Sequence, residues 1–171
     1  MPFQPQPTLI GKHIHLRPLT EQDYESLLAA ASDPLIWEQH PAQRYKPEIF
    51  SAFFADSLQS GGALIALDAS TGEVIGTSRY NGYDEAKSEI EIGWSFLKRE
   101  YWGGSHNREM KQLMLNHAFQ FLENVFFEVD SKNLRSQKAV EKIGGKRIES
   151  RLRDDGRTSV IFRITRSGYI L

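Results

Sequence analysis

The sequence predicts an α+β fold built on a mixed, mostly antiparallel sheet. Two stretches carry that expectation. Between residues 63 and 97, three period-two segments follow one another through short turns, as an antiparallel meander requires. From residue 107 onward a long helical pattern, a short strand and a second helix lead into two last strands, and that strand–helix–strand step calls for a parallel crossover. At 171 residues the chain is long enough for one domain with a substantial core and too short for two. Residues 1–171 are therefore read as a single domain, with 1–11 an extended arm spaced by Pro2, Pro5 and Pro7.

The elements follow in order. Residues 12–18 alternate, with Ile14 and Leu16 on one face and His13, His15 and Arg17 on the other, as a first strand does. Thr20 and Asp23 make a capping-box pattern with Asp in place of Glu, and Tyr24, Leu27, Leu28 and Ala31 recur at helical spacing to about Ser32. Asp33-Pro34 ends that helix. The segment 33–47, with Trp37, His40, Pro41, Arg44 and Tyr45, has no regular period and reads as a shaped loop. Pro47 opens a second helix to about Gln59, striped by Ile49, Phe50, Phe53, Phe54 and Leu58, and Gly61-Gly62 stops it.

Strands over 63–68, 74–83 and 88–97 come next, separated by turns at 69–72 and 84–87. The longest helix is expected over 107–123, where Met110, Leu113, Met114, Ala118, Phe121 and Leu122 form a broad face suited to a sheet. Val125, Phe127 and Val129 alternate as a short strand. Residues 133–143 form another helix, stopped by Gly144-Gly145, and strands 146–152 and 158–165 flank the turn 154–157.

Composition narrows the function classes. Lys plus Arg number 21 against 22 Asp plus Glu, a formal net charge of -1, so no field of one sign advertises a nucleic-acid or membrane partner. The absence of cysteine excludes a disulfide scaffold, a thiolate metal site and a cysteine nucleophile. The start of the chain lacks a positive flank and an apolar run, so no secretory signal is read there, and no stretch approaches the roughly 18 apolar residues of a membrane span. A cytoplasmic location is the default.

Two constellations can carry chemistry. The strand ending at Ser95-Phe96-Leu97 runs through Tyr101-Trp102-Gly103-Gly104 into a long helix for which Ser105 or Asn107 is a suitable N-cap. The free N–H groups and the dipole of that helix end make an anion site, and the glycines let a phosphate approach the backbone. The alternative is a tight strand-to-helix turn with an ordinary cap. In the second constellation, 129–145, Ser136 shares a helix face with Val140 and Ile143, so its hydroxyl points inward, either toward a cleft or onto the carbonyl four residues before it. Asn133 stands at the helix start, where it can cap. Glu89 and Glu91 share one strand face, and a carboxylate there can act as a base or belong to a solvated surface. His117 lies at the edge of the long helix's stripe and reads as packing. No spacing of His, Asp or Glu suggests a metal site.

Taken together these stretches resemble the GNAT acetyltransferase superfamily, and within it the branch that includes the ribosomal-protein amino-terminal acetyltransferases. The resemblance covers nearly the whole chain. His15-Leu16-Arg17-Pro18-Leu19-Thr20 through Asp23 is similar to that branch's opening strand and helix. Glu91-Ile92-Gly93-Trp94 followed by Tyr101-Trp102-Gly103 resembles its fourth strand and coenzyme A loop, and Asn133-Leu134-Arg135-Ser136 with Glu141-Lys142-Ile143-Gly144 its next helix.

The resemblance implies a three-layer α/β/α fold around a splayed sheet, and an acetyl group passed from acetyl-CoA to a primary amine by direct attack, the acceptor being a protein N-terminus or a small amine. The strand near Phe96 and Leu97 would pair with pantetheine through its backbone. The loop from Trp102 through Gly103, Gly104, Ser105, His106, Asn107 and Arg108 would hold the pyrophosphate, and Asn133 would bond the pantetheine arm. Glu91 would be the general base and Ser136 the acid for the departing thiolate. The chain departs from the family's phosphate loop, Gln/Arg-x-x-Gly-x-Gly/Ala, by placing Ser105 and Asn107 at the two small positions, where their side chains either crowd the phosphates or donate to them.

The residues agree with such chemistry on their own terms. An α-amino group has a pKa of about 8 and a lysine of about 10.4, so the attacking amine must lose a proton to a base such as Glu91 or Glu89. A backbone N–H of the splayed strand would stabilise the tetrahedral intermediate, and no metal is required. The acceptor would be lined by Trp37, His40, Arg44 and Tyr45 of the irregular segment and by Tyr80, Asn81 and Tyr83. Two other readings stand beside the enzyme: a non-catalytic acyl-CoA-binding module, and a protein-interaction domain on the same fold. A monomer and a homodimer are both compatible with the sequence.

Overall fold

A computed structural model describes residues 2–169; Met1, at the head of the predicted arm, and residues 170–171, at the end of the predicted domain, lie outside the described residues. The elements are β1 (Leu9–Ile10), β2 (Ile14–Pro18), α1 (Tyr24–Ala31), α2 (Pro47–Ser60), β3 (Ala63–Asp68), β4 (Val74–Asp84), β5 (Glu89–Leu97), α3 (Ser105–Ala118), β6 (Asn124–Asp130), α4 (Leu134–Lys142), β7 (Lys146–Leu152) and β8 (Thr158–Thr165). The strands form one sheet in the order β1-β2-β3-β4-β5-β6-β8-β7. Every pairing in it is antiparallel except β5 with β6, the parallel step that the crossover through α3 demands.

Local chemistry explains the boundaries. The capping box at α1 is present: Asp23 accepts from the Thr20 N–H at 2.8 Å and is held by the Arg17 guanidinium at 2.8 and 3.0 Å. Burial alone would raise Asp23, but the bonds from Arg17 and Thr20 outweigh it and hold the carboxyl below its usual range. Pro47 opens α2, and Gly61 closes it in the left-handed region at φ 68°.

The sheet separates two cores. On one face Leu27, Trp37, Phe50, Phe53 and Phe54 of α1, α2 and the turn between them cover Ala63, Ile65 and Phe96. On the other, Met110, Met114, Leu115 and Ala118 of α3 and Val140 of α4 cover Leu64, Ile90, Ile92, Val125 and Phe127. These are the three layers. Full burial of each such side chain is worth about 1.5–3 kcal/mol.

Three boundaries differ from the sequence reading. The arm carries a two-residue strand, β1, paired with β2. The helix expected to be the longest, α3, has 14 residues and only equals α2; it begins at Ser105, two residues earlier than expected, because Gly104 serves as its N-cap and neither Ser105 nor Asn107 does. It ends at Ala118, where Phe121 and Leu122 both donate to the Ala118 carbonyl, at 3.0 and 2.9 Å, in a turn that folds Leu122 back onto the core.

One position shows how tightly β4 meets β5. A Cβ on Gly76 would lie 2.0 Å from the Phe96 carbonyl oxygen. Gly76→Ala is expected to destabilise the fold by about 1–3 kcal/mol, the range of overpacked cores, read as a lowered denaturation midpoint with an unchanged m-value.

Candidate active site

The site begins where the sheet opens. β5 and β6 are paired only over Glu89↔Asn124, Ile90↔Val125 and Glu91↔Phe126; beyond Glu91 the strands part, and the edge of 92–97 facing β6 has no strand partner among the described residues. The opening coincides with a bulge. Thr77 pairs with Phe96 and Arg79 with Gly93, so β5 carries one more residue than β4 over this stretch, and Trp94 takes φ 52°. A left-handed aromatic residue costs on the order of 1–2 kcal/mol, which the packing around it must offset. The extra residue resets the alternation: Trp94 and Phe96 pack toward α1 and α2, while Ser95 turns to the α3 face and bonds Ser78 at 2.7 Å.

Glu91 occupies the fork. Burial pushes its carboxyl up to about 7, helped by Glu128 of β6, against a partial pull from Arg151, Arg153 and Arg79. It shares the α1/α2 face with Arg79, whose guanidinium bonds Asp56 at 2.9 Å and Ser57 at 2.7 Å and lies 4.4 Å from the Trp94 ring. Arg44 stacks 4.2 Å over Phe53 and 5.5 Å from Trp37; burial first, then Arg79, lowers it to about 10. His40 stands edge-on to Trp37 at 5.4 Å and accepts the Ala42 N–H on Nδ1. Burial and Arg44 push it down to about 4, so it is neutral at ordinary pH.

The predicted acceptor residues divide. Trp37 is buried, donates its indole N–H to the Ala31 carbonyl at 2.9 Å and packs 5.1 Å from Phe96, so it forms a wall of this face. Asn81 is half-buried and lies opposite Glu91. Tyr80 requires correction. It is 1% exposed, points to the α3 face and donates its hydroxyl to the Met114 carbonyl, because the residue between Arg79 and Asn81 must face the other way. Tyr80→Phe is expected to cost about 0.5–1.5 kcal/mol of stability through the lost buried hydrogen bond, with no change in the KM of an amine; thermal unfolding and steady-state rates check both.

The second half of the site is the start of α3. Gly104 caps the helix without a side chain, Gly103 turns the chain at φ 70°, and a Cβ on Gly104 would meet nothing within 4 Å. The first-turn N–H groups are thus left for a ligand. They border a cleft of about 340 Å³ lined by Gly103, Gly104, Ser105 and Arg108, with His13 and Glu109 beside them. His106 is turned elsewhere: its Nε2 meets Asp68 at 2.8 Å and its ring packs on Tyr101 at 4.6 Å. Ser70, His106 and Thr71 hold the Asp68 carboxyl far below its usual range. A larger cleft, about 510 Å³, lies between Ala29, Ala30 and Ile36 on one side and Lys98 and Arg99, just past the splayed strand, on the other.

Between these parts, Trp102 donates its indole N–H to the Leu97 carbonyl at 2.8 Å and carries the Arg135 guanidinium 3.8 Å over its ring. Phe96 and Leu97 bury their side chains on opposite faces, so only their backbone borders the opening. Asn133 is buried and caps α4 by accepting the Ser136 N–H at 3.2 Å; Ser136 itself is half-buried. One residue escaped the sequence reading. Lys111 lies on the inner face of α3, 8% exposed, and donates to Ser95 Oγ at 2.7 Å. Its only sequence signal is that helical spacing puts it beside Met110, Met114 and Leu115 on the face that the sheet covers. Among the described residues no group of three or more His, Asp or Glu is placed to hold a metal ion, and no helix is long and apolar enough to cross a membrane.

A sheet opened by a bulge, above a side-chain-free helix start that faces a cleft, defines a three-layer α/β/α protein with a splayed central strand. The model of the acetyltransferase (GNAT) domain matches residues 13–146, and the chain belongs to that family. No curated protein sequence matches it. Among solved structures it is similar to a GCN5-related N-acetyltransferase from Brucella melitensis, with a TM-score of 0.85 at 19% identity over 95% of this chain and 80% of that one. An acetyltransferase from Agrobacterium tumefaciens str. C58 superposes with a TM-score of 0.73 at 24% identity over 92% and 94%. The spermidine N-acetyltransferase from Vibrio cholerae, solved with CoA and spermine, gives 0.72 at 14% over 93% and 99%. At these identities the likeness is one of fold.

Proposed function

We propose that the chain is an acetyl-CoA-dependent N-acetyltransferase whose acceptor is a primary amine, either a protein N-terminus or a small amine. The observation that carries this reading is the fork: β5 leaves β6 directly after Glu91, a half-buried carboxyl pushed up to about 7. A general base works best when its pKa lies near the operating pH. Glu89 pairs with Asp84 of β4 and Asn124 of β6, at the end of β5 away from the opening, so the position at the opening favours Glu91.

The residues present suit coenzyme A. The uncapped first turn of α3, Gly103, Gly104 and the exposed Arg108 accept a pyrophosphate, with Ser105 and Asn107 as further donors at the loop. The free edge of 92–97 and the amide of Asn133 bracket a peptide-like pantetheine arm. Bound acetyl-CoA supplies an acyl group activated as a thioester. Glu91 takes the proton of the incoming ammonium, directly or through water. Arg44 and Arg79 on the same face lower that ammonium's hold on its proton. Backbone N–H groups of the splayed edge meet the charge that gathers on the acyl oxygen, and Ser136 offers a hydroxyl to the sulfur. The ribosomal-protein branch remains part of this proposal, on the opening 15–23 stretch.

Isothermal titration of acetyl-CoA into the protein, followed by thiol release with a panel of peptide N-termini, polyamines and amino acids, tests the reading. Micromolar binding and amine-dependent thiol release are expected. Binding without turnover on any amine would leave a carrier module, and no binding would leave an interaction domain.

A further inference from the structure

Among the described residues Lys111 is a buried cation without a counter-ion. Its Nζ bonds Ser95 Oγ on the splayed part of β5 and lies 5.6 Å from the Phe127 ring on β6, so it reaches both walls of the opening from the α3 side. Every element around it presents neutral groups: Ser78 on β4, Ser95 on β5, Phe127 on β6, and Met110 and Met114 on its own helix. Glu89 and Glu91 of β5 and Glu128 of β6 alternate to the opposite face of the sheet. Among the described residues the ammonium therefore has one acceptor for three N–H groups and no carboxylate. A buried charge so placed is costly unless something that enters the opening takes up the spare donors.

We propose that Lys111 is a catalytic residue for the leaving group, standing on the side of the sheet opposite the base and giving its proton to the coenzyme sulfur. This assignment rests on the reading that a coenzyme A thioester occupies the opening. In the step, the amine nitrogen forms its bond to the acyl carbon, the carbon–sulfur bond breaks with its electron pair on sulfur, and Lys111 Nζ supplies the proton that makes the thiol. Glu91 passes the ammonium proton to solvent before the attack and then takes the second proton that nitrogen loses as the amide forms, and exchange with solvent returns Glu91 and Lys111 to their starting states. Burial has pushed Lys111 down to about 8, close to the roughly 8.5 of a thiol, so the transfer is nearly balanced. An aliphatic hydroxyl such as that of Ser136 is a far weaker acid and acts here as a hydrogen-bond donor only.

The test reads the coenzyme thiol itself. The ultraviolet absorbance of the thiolate, followed through a pH titration of free coenzyme A bound to the protein, is expected to show at least tenfold more thiolate at a given pH than free coenzyme A shows. Lys111→Met is expected to abolish that gain while changing the Kd of coenzyme A by less than about threefold. Lys111→Arg keeps the charge but not a transferable proton, so it is expected to retain the thiolate gain and lose turnover by at least tenfold. A wild-type thiol that titrates as in free solution overturns the assignment without any variant. So does Lys111→Met that leaves both the titration and the alkaline limb of kcat unchanged. If coenzyme A does not bind the wild-type protein, the functional reading fails and not this assignment alone.

Discussion

Replacing Glu91 by Gln is expected to lower kcat/KM for the amine by about 10²- to 10⁴-fold, the usual contribution of general acid–base catalysis. The Kd for coenzyme A is expected to stay within a few-fold, because the carboxyl faces α1 and α2 and the pyrophosphate end is proposed to lie at the start of α3. The wild-type profile of kcat/KM against pH should rise with an acid limb near 7 and not near the 4.5 of an unperturbed glutamate, since the base works only after losing its proton. In Glu91→Gln that limb disappears.

Stability moves the opposite way. The folded carboxyl holds its proton up to about 7 while the unfolded one releases it near 4.5, so the folded state binds more protons across that window and the wild-type protein loses stability as pH rises through it. A neutral amide has no such penalty. Glu91→Gln should therefore melt higher than wild type at pH 8, with the difference fading toward pH 5. A limb that survives the substitution, or a variant that melts lower at pH 8, would sink the assignment of Glu91.

Gly104→Asp is expected to weaken coenzyme A binding by tenfold or more while leaving the free protein as stable as wild type or slightly more so. Gly104 is the N-cap of α3, its backbone at φ -120° is open to any residue, and a Cβ there touches nothing. An aspartate would accept from the first-turn N–H groups and complement the helix dipole, a gain of a few tenths to about 1 kcal/mol. Those same donors are the ones the pyrophosphate needs, and the new charge repels it. Calorimetric titration and thermal melting of the free variant give the two readouts. Equal loss in both would mean the loop had merely unfolded, and unchanged binding would move the pyrophosphate away from α3.

The elements were legible where one period ran without interruption. The alternation of Ile14 and Leu16, the α2 stripe of Phe50, Phe53 and Phe54, and the change of period between β5 and α3 each follow from side chains that must share one buried face. The family resemblance singled out Glu91, Gly103, Gly104 and Asn133, and the structure puts Glu91 at the end of the β5–β6 pairing, Gly103 and Gly104 before α3, and Asn133 at the cap of α4. The capping box of Thr20 and Asp23 was visible too, since cap chemistry is local. The start of α3 was not, because serine and asparagine are both good caps by type, and only the backbone shows that Gly104 precedes the first turn.

The sequence by itself determined the order of elements, because hydrophobic period and turn chemistry act over a few residues and do not depend on what lies across the sheet. The tertiary structure alone decided the parity of β5 and the company of its residues. A single extra residue at Trp94, forced by the register of β4 against β5, turns Ser95 toward α3 and brings it to Lys111. The same pleat sends Tyr80 into the core and leaves Arg79 and Glu91 together on the face toward α1 and α2. The acidity of Glu91 and Lys111 is likewise tertiary, since it comes from the water that packing removes around each group, and neither residue type nor spacing carries that information.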